Sequence, residues 1–198
     1  MNDFERLYSD NGVYGNFHYG SPIVNRGIRC AHHLCSFHPK RGKIKVLCFG
    51  SGNGYEVVRF LKKGNSAYCV DLYTPKIRAM KGRQIKAYGQ ALPFKDKAFD
   101  LFFSCETMEH VEEDWVDDIL NEAKRVSDEV FFTIADRPDA PYNTHICIHG
   151  LCWWLERFER LGFEITNAQS KPKLTVVGDS GSVNTFGWPD GTLIHAKC

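Results

Sequence analysis

The chain has no excess of charge, no long apolar run and no internal repeat, and each absence narrows what it can be. Its 25 Lys and Arg against 24 Asp and Glu leave a formal net charge of +1, so no global field draws it to nucleic acid or an anionic membrane. No stretch approaches the ~18 apolar residues of a membrane span. The opening MNDFERLYSDNG lacks the apolar centre of a secretory signal, which predicts a soluble, cytoplasmic protein. The 8 cysteines therefore read as reduced thiols, not as a disulfide framework. Cys48, Cys69 and Cys105 fall in apolar runs, where free cysteine behaves as a small hydrophobe. Cys30, His32, His33, Cys35 and His38 are more crowded, but C-x-H-H-x-x-C lacks the second ligand pair of a zinc site, and no metal is expected.

What is present is a rhythm. The 198 residues suit one domain with a substantial core. From residue 44 short apolar runs alternate with amphipathic stretches, the pattern of βαβ units around a parallel sheet. Strands are predicted at 44–49, 67–71, 84–88, 99–104, 130–135, 163–166 and 192–196. Helices are predicted after Gly54, after Pro75, over 112–125 and over 150–161. Trp115, Ile119, Leu120 and Ala123 mark one face of the third of these. Adjacent Trp153 and Trp154 straddle the fourth, one toward the core and one toward a pocket. Residues 170–191, polar and rich in Gly, Ser, Pro and Asp, read as a long connection. Residues 1–43 stand outside the rhythm and read as an N-terminal cap or lid on a domain spanning 44–198. Tyr14 and Tyr19 there either cover a ligand or anchor the cap.

The first strand ends in Gly50-Ser51-Gly52-Asn53-Gly54, and a helix follows. Glycines at that turn let bare backbone approach a ligand and adopt positive φ. Asp71, at the end of the next strand, stands where a carboxylate would accept bonds from ribose hydroxyls. The spacing is G-x-G-x-G, not the dinucleotide fingerprint G-x-G-x-x-G. Glu56 in the first helical turn would also repel a pyrophosphate. A nicotinamide oxidoreductase is accordingly disfavoured.

VLCFGSGNGYE, VDLY, QALPFKDKAFDLFFSCETMEHVEE, LNEAKRVSDEVFFTI and WLERFERLGFEI follow one another as the motifs of one family do. Over residues 44–166 the chain resembles the class I S-adenosylmethionine-dependent methyltransferases, particularly the small-molecule, type 11-like group. The resemblance implies a Rossmann-like α/β fold with a mostly parallel seven-stranded sheet and helices on both faces. It implies S-adenosyl-L-methionine as cofactor and S-adenosyl-L-homocysteine as product. Gly50, Ser51, Gly52 and Gly54 would line the methionine and ribose, and Asp71 would hold the ribose hydroxyls. Leu72 would pack on adenine, with Gln90 and Ala91 at its edge. Ser104 and Glu106 would face the methyl donor. Plain core packing is the alternative for Leu72 and Ala91. The chain departs from the family twice: Cys48 replaces an acid two residues before Gly50, and Gln90 stands near where an acid receives the adenine amino group.

Methyl transfer from a sulfonium is an in-line displacement in which positioning does most of the work. A hydroxyl or protonated amine acceptor also benefits from a base, for which histidine is suited near neutral pH. His110, after the fourth strand, is the first candidate, with Glu109 to orient it; a turn-capping histidine is the alternative. His145 and His149 follow the fifth strand at the same edge and are candidates for substrate binding or base, with surface or structural histidines as the alternative. They would form a metal pair only if their segment were helical, and the prolines before it oppose that. The acceptor is expected to be a small molecule. An RNA or protein acceptor, for which Lys76, Arg78, Lys81, Arg83 and Lys86 speak, is the second reading. A non-catalytic binding protein is the third.

Overall fold

The computed structural model describes residues 22–198 except 41, 73–80, 141 and 179. Tyr14, Tyr19, Lys76, Arg78 and the helix expected after Pro75 lie outside the described residues. In chain order the elements are α1 (Pro22–Phe37), β1 (Lys45–Phe49), α2 (Tyr55–Lys62), β2 (Ser66–Asp71), β3 (Gln84–Lys86), β4 (Phe99–Cys105), α3 (Val116–Val126), β5 (Ser127–Ile134), α4 (Leu151–Arg160), β6 (Glu164–Ser170), β7 (Lys173–Val177), β8 (Val183–Gly187) and β9 (Thr192–Lys197). Two short 3₁₀ turns, Met108–His110 and Glu113–Trp115, link β4 to α3.

Seven strands form one sheet in the order β3-β2-β1-β4-β5-β9-β6. The pairs from β3 through β5 are parallel, and β9 runs antiparallel between β5 and β6. This is the expected mostly parallel α/β fold. Central strands buried on both faces need apolar side chains on both, which is why VLCF and LFFS carry no polar alternation. Their period of two divides the core. Leu47, Phe49, Phe102, Val130 and Phe132 face α3 and α4, where Trp154 and Phe158 are fully buried. Val46, Cys48, Leu101, Phe103 and Phe131 face α1 and α2. Chain order reverses between β1 and β4, and such a switch point opens a crevice at the strands' carboxyl ends.

Two expectations change. Residues 170–191 are not a plain connection: β7 and β8 pair as an antiparallel hairpin. Leu174 of β7 and Trp188, just after β8, are buried in the same core as Cys30, Ala31 and Leu34 of α1, with Phe186 packed against it, while Val183 is exposed. Gly, Ser and Asp at the turn dominate the composition and hide the two short strands. Trp115, expected on the buried face of its helix, is 45% exposed. It sits in the 3₁₀ turn before α3, where the helical period does not apply.

Candidate functional site: a cavity at the switch point

A cavity of about 410 Å³ opens at the switch point, within the range of small-ligand sites. Its wall includes Gly50, Asp71, Leu72, Gln90, Glu106 and His110, which converge from separate segments of the chain.

The glycine loop is held by backbone geometry. Gly50, Gly52 and Gly54 all have positive φ. The Gly52 amide donates to Asp71 Oδ2 at 2.7 Å, so the acid at the end of β2 shapes the loop as well as facing the cavity. A Cβ at Gly50 would lie 2.0 Å from Thr107 Cγ2, and Thr107 Oγ1 in turn reaches the Gly50 carbonyl at 3.3 Å. The opposite wall depends on a second close approach. A Cβ at Gly89 would stand 2.7 Å from the Phe49 ring and 2.9 Å from Ile119. The L-P-F segment beyond it is stapled to α3. Leu92 N–H donates to Glu122 at 2.6 Å, and Arg125 donates to the carbonyls of Phe94 at 2.8 Å and Leu92 at 3.0 Å.

Other expected site residues lie off the wall. Ser51 is buried, and Gly52 and Gly54 shape the loop behind it. Ala91 is exposed in the turn after Tyr88. Ser104 is fully buried inside β4. Cys48 points into the core under α1 and α2, so its side chain is no substitute for the missing acid. Glu106 supplies a carboxylate at the cavity instead, ion-paired with Arg26 of α1.

The histidines separate. Residues 143–150 are not helical, and His149 turns outward, bonding Glu113 at 2.9 Å and stacking on Trp153 with ring centres 3.6 Å apart. Trp154 is therefore the core member of the tryptophan pair, while Trp153 lies between His149 and the Arg157 guanidinium. His145 instead meets His110 edge-on, ring centres 4.8 Å apart. Nδ1 of His110 lies 3.0 Å from the Thr144 carbonyl, and Nδ1 of His145 lies 2.6 Å from the Arg137 carbonyl. Each Nδ1 therefore carries the proton, which leaves the lone pair on Nε2. Burial, with the neighbouring His145, lowers the His110 pKa to about 4, so this imidazole is neutral near pH 7. Glu109 beside them is completely buried, and burial pushes its carboxyl well above the usual carboxylate range, Glu106 adding to the effect. The crowded group at 30–38 splits up: Cys30 and Cys35 are core residues, His33 bonds the Thr175 carbonyl at 2.6 Å, and His38 faces Glu129 at 3.4 Å.

Thr107, Gly89, Tyr88, Trp115 and Ile146 also belong to the wall, and the sequence reading assigns none of them to it. Only Gly89, beside a recognisable motif, leaves a signal in the sequence; the others are placed by turns with no periodicity.

Residues 47–129 match the family described as Methyltransferase domain. No curated protein matches the chain. Among solved structures it is similar to the 1,6-didemethyltoxoflavin-N1-methyltransferase of Burkholderia thailandensis, at 17% identity and a TM-score of 0.67, over 98% of this chain and 84% of that one. It is similar to a TehB-like S-adenosylmethionine-dependent methyltransferase of Corynebacterium glutamicum, at 21% identity and a TM-score of 0.63, over 90% and 89% of the two chains. It is also similar to the cyclase SpnF, at 15% identity and a TM-score of 0.62, over 86% and 80%. These identities speak for the fold. Residues 47–129 thus match the methyltransferase-domain family, and the chain shares the fold of the S-adenosylmethionine-dependent methyltransferases among these structures.

Proposed function

We propose that this methyltransferase takes S-adenosylmethionine in the switch-point cavity and methylates a small-molecule acceptor. The reading rests on the cavity wall itself: bare backbone at Gly50, a carboxylate at Asp71, an amide at Gln90 and an imidazole at His110 around one space. The residues fit the nucleoside. Asp71 accepts from ribose hydroxyls, Leu72 packs on the base, and the Gln90 carbonyl takes the adenine amino group without a charge. Glu106, held by Arg26, offers a carboxylate toward the methionine ammonium in place of the acid absent at Cys48. When bound, the cofactor supplies an electrophilic methyl on a sulfonium. The protein's part is alignment and exclusion of water. His110, neutral and partly shielded, orients the acceptor in the cavity, with Trp115 and Ile146 as apolar walls.

A small acceptor agrees with the balanced net charge and with the B. thailandensis protein, solved with 1,6-didemethyltoxoflavin and S-adenosylhomocysteine. Of the basic run that would favour RNA or an acidic protein, Arg83 is already engaged, donating to the Ala67 carbonyl at 3.3 Å and lying over Tyr68. Among the described residues no helix is long and apolar enough to cross a membrane. The eight free thiols support a cytoplasmic setting.

The test is calorimetric titration with S-adenosylmethionine and S-adenosylhomocysteine, with Asp71→Ala as control. Micromolar binding that weakens at least tenfold in the variant is the expected outcome. Absence of binding to both ligands overturns the reading.

A further inference from the structure

The loop after β5 and the turn after β4 bring together three side chains, of which only His110 lines the cavity. Glu109, His110 and His145 each offer a ligand atom, and these atoms lie within 4.8 Å of one another. His145 Nε2 is 4.0 Å from Glu109 Oε1. A cation bonded at ~2.1 Å to such donors draws them together to roughly 3–3.5 Å, a modest contraction.

Three features mark this as a built site. Glu109 is fully buried, and neither of its carboxylate oxygens has a hydrogen bond of normal geometry among the described residues; its own amide and that of Ala135 only lie near enough to ease its charge. A buried carboxylate left so is costly unless a cation or a proton meets it. Both histidines turn Nδ1 to a backbone carbonyl, the outer-shell bond that orients metal-bound imidazoles through Nε2. The loop that delivers His145 is itself fixed. Asp139 Oδ1 accepts from the amides of Thr144 at 2.7 Å and His145 at 3.0 Å. The Glu109 carbonyl accepts from Ile146 at 2.8 Å and Cys147 at 3.0 Å.

We propose that Glu109, His110 and His145 bind one divalent first-row transition cation beside the cavity wall that His110 lines. Two imidazoles with one carboxylate suit manganese, iron, cobalt or zinc, whereas calcium and magnesium prefer all-oxygen sets. His110 also lines the cavity, which places the ion beside the acceptor. Its further role rests on the methyl-transfer reading: an acceptor hydroxyl bound to the cation loses its proton to water and stays as a metal-held oxyanion.

The experiment uses the full chain, freed of metal by chelation and titrated separately with Mn²⁺, Co²⁺ and Zn²⁺ by calorimetry, with the Co²⁺ visible spectrum as a second readout. One equivalent bound, and at least tenfold weaker binding in both Glu109→Gln and His145→Ala, is expected. Asp139→Asn, which loosens the loop without removing a ligand, should weaken binding less than either. Circular dichroism and S-adenosylhomocysteine binding of each variant report whether it folds. No binding of any of the three ions, or binding unchanged in folded Glu109→Gln and His145→Ala, overturns the proposal. Metal binding without S-adenosylhomocysteine binding upholds the metal site and removes the methyl-transfer reading instead.

Discussion

Among single residues, Gly50 carries two constraints at once. Its φ is 66°, and Thr107 fills the space a side chain would take. Gly50→Ala therefore both strains the loop and displaces Thr107 from the cavity wall. The expected outcome is at least tenfold weaker S-adenosylhomocysteine binding with the sheet intact, checked by calorimetry and circular dichroism. Gly52 has open space at the same position, so Gly52→Ala bears only the backbone strain and should lose less. A reversed order would refute the steric account.

Between elements, two attachments matter. Arg125 ties α3 to the segment after Gln90, through bonds to the Leu92 and Phe94 carbonyls. Arg125→Ala leaves the cavity side chains in place but releases that wall, so nucleoside affinity should fall several-fold while β-sheet signals persist. Unchanged affinity would show that the staple is dispensable. The β7–β8 hairpin is the second attachment. Leu174 is 3% exposed against α1, and Leu174→Ala should cost about 2–4 kcal/mol in a denaturant titration. A loss below about 0.5 kcal/mol, typical of surface changes, would mean that the hairpin is not part of the core.

Across the molecule as a whole, pH and topology act together. Glu129 on β5 faces His195 of β9 at 3.2 Å and His38, just beyond α1, at 3.4 Å. Hydrogen bonding to His195, then to His38, holds its carboxyl well below the ordinary carboxylate value. A depressed folded-state pKa contributes stability above the unfolded value of ~4.3 and loses it as pH falls toward the folded value. The thermal midpoint of the wild type should therefore fall more steeply below pH ~4.3 than that of Glu129→Gln. Parallel acid limbs would refute this.

The features legible in the chain alone are local and sequential. Strand, glycine loop, helix and Asp71 lie close together, so alternating apolar runs and the turn chemistry of Gly50-Ser51-Gly52-Asn53-Gly54 are enough to read the fold and the glycine loop. The remainder depends on which distant segments meet, and that is a property of the folded molecule. Folding turns Trp115 outward and pairs β7 with β8. It moves His149 onto Glu113 and brings His145 against His110 and Glu109. No periodicity encodes a meeting between the turn after β4 and the loop after β5; the parallel pairing of those two strands sets their carboxyl ends side by side.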